Sequence, residues 1–222
     1  MSGFDDPEAV ARYAEGPRRL VPGLDDLHRM TRLLLDETVP PDGHVLVVGA
    51  GGGMELRAFA EARAGWRFTG VDPSAGMLKL AARTLGPMAD RADLREGYVA
   101  DAPDGPFDGA ACLLTLHFVP EPERIATLSE IRRRLKPGAA LILAHHSMPD
   151  GPARAVWLNR FAAFATDNGL DPDRAHANAH AIGEALPLQT PDTEVAHLRA
   201  AGFTDVQLFY AAFTFRGWVA RA

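Results

Sequence analysis

A strand-like run that leads straight into a glycine-rich turn constrains the fold of this chain more than any other feature. Residues 45–48 read Val-Leu-Val-Val, and residues 49–53 read Gly-Ala-Gly-Gly-Gly. A strand without polar alternation is typical of parallel sheets that are covered by helices on both faces. Glycine allows a sharp turn and lets a ligand approach the backbone closely. The pattern predicts a ligand-binding turn at the carboxyl end of the first strand of an α/β sheet.

Strand-like and helical segments alternate through the middle of the chain. The predicted strands span residues 44–48, 67–71, 94–100, 107–114 and 139–144, and the helices between them span 54–64, 74–85 and 121–135. Such alternation implies right-handed crossovers and a doubly wound, mostly parallel sheet. Two closing strands, 206–210 and 213–220, are joined so tightly that they should pair as an antiparallel hairpin. We therefore predict a seven-stranded Rossmann-like α/β sheet with an antiparallel C-terminal strand.

Helical segments are expected on both sides of this strand-rich region. Residues 1–40 are predicted to form a helical cover, and residues 150–190 a helical insertion after the fifth strand. The helices expected within these segments and after them cover residues 7–13, 24–39, 152–186 and 192–201. A chain of this length is typical of one domain, so we interpret residues 1–222 as a single unit.

The balance of charges and the single cysteine limit the classes of partner and compartment. The 222 residues carry 23 Lys and Arg against 29 Asp and Glu, a formal net charge of −6. Nucleic-acid binding needs clustered cations against the phosphates, which an acidic chain is poorly suited to supply. Cys112 has no second cysteine with which to form an internal disulfide, and we find no signal peptide or membrane-spanning apolar stretch. We expect a cytoplasmic protein without membrane or nucleic-acid partners.

Two carboxylates follow the strands that should lie beside the glycine turn. Asp72 ends the second strand, where it could accept two hydrogen bonds from a ribose diol or simply cap the next helix. Asp101 follows the third strand, where it could meet an adenine amino group or belong to a surface turn. The glycines do not match the dinucleotide fingerprint, because Met54 occupies the place of its third glycine. The pattern favours a nucleoside ligand other than a dinucleotide.

Together these segments resemble the class I S-adenosylmethionine-dependent methyltransferases. The matching stretches are residues 45–53, 70–78, 101–102, 107–117 and 135–138. The resemblance implies S-adenosylmethionine as the cofactor and methyl transfer to a small-molecule acceptor as the reaction. It assigns the cofactor contacts to Tyr13, Gly49, Ala50, Gly51, Gly53, Asp72, Pro73, Met77, Asp101, Ala102 and Leu114. The family usually carries an acid two residues before the first glycine, where this chain has Val47, and Glu55 is one candidate substitute.

Methyl transfer is an in-line displacement, which an enzyme accelerates mainly by holding the two reactants at near-attack distance. A general base helps when the accepting atom carries a proton. Three histidines follow the fourth and fifth strands and could take that proton or could be structural: His117, His145 and His146. The side chains that could contact an acceptor are Trp157, Arg160, Phe161, Phe164, Arg199 and Arg216, although ordinary packing or exposure would explain each of them too. No metal site is predicted.

The sequence leaves several functions open. The preferred function is methyl transfer to a small molecule, and an enzyme that modifies RNA nucleosides is an alternative. Residues 211–220 are similar to the carboxy-S-adenosylmethionine synthase-like branch of the family, which suggests a further enzymatic alternative. A cofactor-binding module without chemistry of its own also stays open, because Val47 replaces the usual acid. The closing hairpin could pair with a second copy to form a homodimer.

Overall fold

A seven-stranded sheet organises the computed structural model, which describes residues 16–222. Its strands are β1 (His44–Val48), β2 (Arg67–Asp72), β3 (Ala92–Glu96), β4 (Phe107–Leu113), β5 (Leu135–His146), β6 (Thr204–Ala212) and β7 (Phe215–Arg221). They lie in the order β3-β2-β1-β4-β5-β7-β6. Strands β1 to β5 are parallel to one another, and β7 is antiparallel to both β5 and β6. The predicted doubly wound sheet with an antiparallel C-terminal strand is confirmed.

Helices cover both faces of this sheet. The α-helices of residues 16–222 are α1 (Gly16–Leu20), α2 (Leu24–Leu35), α3 (Met54–Ala62), α4 (Ala75–Leu85), α5 (Glu121–Arg133), α6 (Pro152–Asp167), α7 (Pro172–Ala185) and α8 (Pro191–Ala200). The helix predicted over residues 7–13, and Tyr13 with it, lies outside the described residues. None of the helices in the described part of the chain is long and apolar enough to span a membrane.

Two apolar clusters lie on opposite faces of the sheet, because successive side chains of a strand point to opposite sides. Val45 and Val47 of β1 pack toward the face that holds α2, α3, α4, α6 and α7. Leu46 and Val48 pack toward the other face, which is covered by α5 and α8. Strands buried in this way on both faces explain the unbroken aliphatic run in the sequence.

The structure corrects several predicted element boundaries, among them the end of α2, which lies at Leu35 rather than at residue 39. Strand β3 covers 92–96 rather than 94–100, because residues 99–101 form a 3-10 turn. The single helix predicted over 152–186 is two helices, α6 and α7, and the break between them contains Gly169 in a left-handed conformation (φ +84°). Strand β5 begins before its predicted start at 139, and its pairing with β4 is irregular near its beginning.

Gly53 ends the glycine turn and allows α3 to approach α4 closely. Its φ is +77°, and a Cβ at this position would lie 2.8 Å from Ala81 Cα. Replacing Gly53 with alanine is expected to lower the free energy of unfolding by about 2 to 3 kcal/mol, because left-handed strain and overpacking add. Chemical denaturation measures this loss.

Gly138 is the matched control, since its φ is +78° and its Cβ would meet no atom within 4 Å. Alanine at Gly138 should cost only the conformational strain, about 1 kcal/mol. Equal losses at the two positions would show that contact with α4 is not the reason for glycine at position 53.

Candidate cofactor and acceptor site

The glycine turn after β1 is hydrogen-bonded to the end of β2. The first two amides of the turn both donate to the Val71 carbonyl, at 2.8 and 2.9 Å. The next amide, Gly51 N, donates to Asp72 Oδ2 at 2.9 Å. Ser74 N donates to Asp72 Oδ1, also at 2.9 Å. The Asp72 carboxylate is therefore held against the glycine turn at the carboxyl edge of the sheet.

Thr115 packs against the other side of the same turn. Gly49 has a φ of +74°, and a Cβ on it would lie 2.0 Å from Thr115 Oγ1, so no larger residue fits without movement. The Thr115 hydroxyl donates to the Leu113 carbonyl at 3.0 Å, which fixes its position at the exit from β4. The sequence gives no indication of the role of Thr115, because a threonine after a strand carries no signal until the neighbouring strand is known.

The other residues assigned to the cofactor after β2 and β3 follow the carboxyl ends of parallel strands, and so lie along the same edge. Met77 and Ala102 are buried, whereas Pro73 and Asp101 are exposed. Asp101 Oδ2 accepts from Tyr98 N at 2.8 Å, so its carboxylate folds back on its own turn. The structure thus brings Asp72 to the glycine turn and leaves Asp101 at the surface.

Leu114 follows β4 and has an unusual backbone conformation. Its φ is +57°, in the left-handed region that non-glycine residues rarely adopt. Its N–H donates to the Ala144 carbonyl of β5 at 2.6 Å. This bond holds the exit from β4 beside the end of β5, where the predicted histidines lie.

His117 and His146 meet at the carboxyl ends of β4 and β5. His146 N donates to His117 Nδ1 at 3.3 Å, and the two ring centroids are 5.0 Å apart. The His146 ring stacks on Phe215 at 4.0 Å and meets the edge of Phe161 of α6 at 5.4 Å. His146 Nδ1 lies 2.9 Å from the Thr214 hydroxyl. Both histidines are buried, and Phe161 of α6 covers His146.

His145 points to the opposite face of the sheet from His146. Its ring packs 5.6 Å from that of Trp218, and its Nε2 lies 3.0 Å from Glu194 Oε1 of α8. Glu194 also pairs with Arg124 of α5, and both of these side chains are completely buried. His117 thus lies between the other two histidines, since its ring centroid is 5.0 Å from that of His146 and 6.3 Å from that of His145, and His145 also belongs to a buried charged cluster. Within residues 16–222, no three His, Cys, Asp or Glu side chains are arranged to hold a metal ion.

Burial keeps His117 and His146 neutral. Desolvation, assisted by the nearby His145, lowers the pKa of His146 to about 3. Desolvation also holds the pKa of His117 well below its usual value, and the neighbouring His146, His145 and Arg124 act in the same direction. Neutral imidazole at physiological pH can accept a hydrogen bond or a proton.

These depressed pKa values predict that the protein loses stability in mild acid. Unfolded His146 has a pKa of 6.5, so below that pH the unfolded state binds more protons than the folded state does. Stability therefore falls as the pH drops from 6.5 toward 3. Between pH 7.5 and 5, His146 alone should account for a loss of about 2 kcal/mol.

Urea denaturation at several pH values measures this loss. The variant His146→Phe cannot titrate at this position. Its free energy of unfolding should therefore depend less steeply on pH than that of the parent protein. The control His180→Asn removes a histidine whose side chain is 72% exposed, and it should leave the pH dependence as it was. If the free energy of unfolding falls with pH in parallel for the parent and for His146→Phe, the loss of stability in mild acid is not due to His146.

Two arginine guanidinium groups, one on α6 and one on the closing hairpin, lie against the ring of Trp157 on α6. The Arg160 guanidinium is 4.4 Å from the centroid of the Trp157 ring, and that of Arg216 is 5.2 Å from it. Arg216 Nη1 also donates to the carbonyls of Phe213 and Phe215, both at 2.7 Å. Three arginines were predicted as possible contacts of an acceptor. The structure brings Arg160 and Arg216 together, whereas Arg199 lies on α8.

Comparison with known proteins agrees with this geometry. Residues 45–138 match the family model described as a methyltransferase domain. The match covers residues 45–138 of the 222 and, with the strand order and the glycine turn, supports a class I S-adenosylmethionine-dependent methyltransferase. Among curated proteins it is similar to the carboxy-S-adenosyl-L-methionine synthase of Chromohalobacter salexigens, with 29% identity over 97% of this chain and 82% of the relative.

Solved structures share the fold. An O-methyltransferase family protein from Burkholderia thailandensis aligns with a TM-score of 0.70 and 16% identity, over 97% of this chain and 60% of its own. Human N-acetylserotonin methyltransferase, in complex with S-adenosylmethionine, aligns with a TM-score of 0.62 and 15% identity, over 98% of this chain. The present chain spans 57% of the length of that human enzyme, so it corresponds to only part of each structure.

Proposed function

We propose that this enzyme transfers the methyl group of S-adenosylmethionine to a small-molecule acceptor by in-line displacement. The observation that carries the proposal is the Asp72 carboxylate, which lies 2.9 Å from Gly51 N at the carboxyl edge of the sheet. Open α/β sheets bind their ligands at this edge. A carboxylate offers about four acceptor sites, and we assign to Asp72 the hydrogen bonds from the ribose hydroxyls.

The remaining cofactor contacts follow from the positions of the other assigned residues. The backbone of Gly49, Ala50 and Gly51 would approach the methionine part, where a side chain would obstruct it. Buried Met77 would pack against the adenine, and Asp101 with Ala102 would meet the polar edge of that base. The assignment of Tyr13 to the cofactor stays a prediction from the sequence.

A small acceptor is supported by the way the ends of β4 and β5 are covered. Helix α6 lies over His146 through Phe161, which leaves an apolar, water-poor environment next to the histidines. The net charge of −6 disfavours a nucleic-acid substrate. Arg160 and Arg216, which flank Trp157, are the candidates to bind a carboxylate of the acceptor.

A second candidate function is synthesis of a carboxylated cofactor. It is favoured by the 29% identity to carboxy-S-adenosyl-L-methionine synthase, which extends over 97% of this chain. In that case the altered molecule would be the cofactor itself, with an added carboxyl group, and no methyl group would be transferred.

Two measurements test these functions. Isothermal titration calorimetry with S-adenosylmethionine asks whether the cofactor binds, and absence of binding would refute the proposal. An assay with the labelled methyl group against separate metabolite and RNA pools then identifies the acceptor class. Label in a small molecule is the expected result. Label in RNA would favour an enzyme that modifies RNA. A carboxylated cofactor detected by mass spectrometry would favour the synthase function, and binding without turnover would favour a cofactor-binding module.

His146 is the proposed proton acceptor, with His117 beside it. A base with a depressed pKa is less effective than one matched to the working pH, so replacing His146 with alanine should lower kcat by about tenfold. Cofactor affinity should change by less than about twofold. The control is His180→Ala, a substitution in α7, which should leave kcat unchanged. An unaltered kcat in His146→Ala would remove this residue from the mechanism.

His145 is expected to act differently when it is replaced. Because its ring lies against Glu194 on the other face of the sheet, we propose a structural role for it. His145→Ala should lower the thermal unfolding midpoint, and its kcat at a temperature where the variant is folded should stay close to that of the parent. A loss of kcat without a loss of stability would restore the catalytic role suggested by the sequence.

A further inference from the structure

The chain has no acid at the place where its family usually carries one. Val47 occupies that position, and its side chain is fully buried in the apolar cluster under α2 and α3. S-adenosylmethionine carries an α-ammonium group, and a cation that leaves water needs an acidic or strongly accepting partner. Another group near the glycine turn therefore has to accept from the ammonium group, and a carboxylate is the strongest acceptor for it.

Glu55 lies directly after the glycine turn, as the second residue of α3. Its side chain is only 8% exposed, although an acid is rarely buried without a partner. Side chains of a helix lean toward its N-terminus. For a residue in the first turn of α3, this direction leads over the end of β1, toward the glycine turn.

Two groups near the carboxyl edge of the sheet are electrostatic neighbours of the Glu55 carboxyl. The negative charge of Asp72, at the end of β2, acts on it. Burial raises the pKa of the Cys112 thiol of β4 to about 12, and Glu55 contributes to that increase. Glu55, directly after the glycine turn, is therefore within electrostatic reach of Asp72 and of the last part of β4. Within residues 16–222, no Lys, Arg or His forms an ion pair with Glu55.

Without a cation, this carboxyl favours its protonated form. Burial raises the pKa of Glu55 to about 8; its own backbone amide opposes the increase, and Asp72 adds to it. An acid in this state accepts a cation readily, because a nearby positive charge stabilises the ionised form and compensates for the lost solvation.

We propose that Glu55 binds the α-ammonium group of S-adenosylmethionine in place of the acid that position 47 lacks, and that it releases its proton when the cofactor binds. The inference rests on the proposed function, since it concerns the same cofactor site. The O–H bond of Glu55 breaks, its proton goes to solvent, and the carboxylate forms a charge-assisted hydrogen bond with the ammonium group. No covalent bond to the cofactor is made.

Calorimetry with two related ligands tests this proposal. S-adenosylhomocysteine retains the amino-acid part of the cofactor, whereas 5′-methylthioadenosine lacks it. Titrations at pH 7 in buffers of different ionisation enthalpy count the protons released on binding. The parent protein should release most of one proton with S-adenosylhomocysteine, fewer as the pH rises to 8.5, and none with 5′-methylthioadenosine.

The variant Glu55→Gln has nearly the same shape but cannot ionise. It should bind S-adenosylhomocysteine about ten- to hundredfold more weakly, the range for one charge-assisted hydrogen bond, and should release no proton. Its affinity for 5′-methylthioadenosine should equal that of the parent. The matched control is Glu61→Gln in the same helix, where the side chain is 52% exposed; it should behave as the parent does in every titration.

The outcomes separate this inference from the proposed function. If Glu55→Gln weakens both ligands equally, or neither, Glu55 only supports the turn and the inference is overturned while cofactor binding stands. If the parent protein binds neither ligand, the proposed function fails and the inference with it. If the glutamine variant does not fold, the proton count of the parent decides, because equal release with both ligands would contradict a contact with the ammonium group.

Discussion

Replacing Asp72 with alanine is expected to lower the affinity for S-adenosylmethionine by about a hundredfold or more. Two hydrogen bonds from the ribose to a charged acceptor contribute about 3 kcal/mol or more together, and each 1.4 kcal/mol is about a tenfold change in affinity. The substitution also releases Gly51 N and Ser74 N, which the carboxylate now holds at 2.9 Å. Calorimetry on the purified variant measures the loss.

Two further variants show whether the charge of Asp72 is responsible. Asp72→Asn keeps one accepting oxygen, so its affinity should lie between those of the parent and the alanine variant. Asp104→Ala removes an exposed carboxylate that pairs with Arg133 at the surface, and it should bind the cofactor as the parent does. If Asp72→Ala is folded and binds with unchanged affinity, the cofactor does not lie between the glycine turn and β2.

Replacing Arg124 with alanine is expected to lower the free energy of unfolding by about 3 to 5 kcal/mol, the cost of leaving one charge of a buried pair without its partner. Arg124 and Glu194 are both completely buried. Arg124 also donates to the carbonyls of Val119, at 3.1 Å, and Pro187, at 2.6 Å. Removing the guanidinium thus takes the buried cation from Glu194, which keeps His145 Nε2 at 3.0 Å, and takes one donor from each of two carbonyls in the space between α5 and α8.

Urea denaturation measures this loss as a change in midpoint at constant slope. An exposed pair on α3 gives the control. Arg57→Ala removes a pair with Glu61 in which both side chains are more than half exposed, and it should cost less than about 1 kcal/mol. A similarly small effect at Arg124 would mean that water reaches the cluster and that burial does not determine its energy.

The features that local sequence predicted well are those that depend on neighbours along the chain. The aliphatic run before Gly49 requires a strand that is buried on both faces, and the observed β1 is such a strand. The short connection predicted at residues 211–212 favours an antiparallel hairpin, which the pairing of β6 with β7 confirms, although the connection itself lies at residues 213–214. Boundaries were less accurate where a 3-10 turn or a single left-handed glycine interrupts a favourable pattern, as at Gly169.

The roles of the histidines show what the sequence could not separate. His145 and His146 are adjacent, and adjacent residues of a strand point to opposite faces of a sheet. Which of these two histidines points toward the candidate acceptor site depends on which of the helices α6 and α8 covers each face of the sheet, and the local sequence does not show this. Glu194 carries no local signal either, because an acid in the first turn of a helix is ordinarily an exposed one that favours the helix dipole.

By itself, the sequence determined the class of fold, the glycine turn and the acid that ends the second strand, since all three follow from hydrophobic periodicity and from residues that are close along the chain. Only the tertiary structure decided that Asp72 meets the Gly51 amide, that His146 joins His117 while His145 pairs with Glu194, and that Glu55 is buried at the start of α3. The physical reason is that burial, and with it the charge state of an acid or a histidine, depends on which distant elements pack against it.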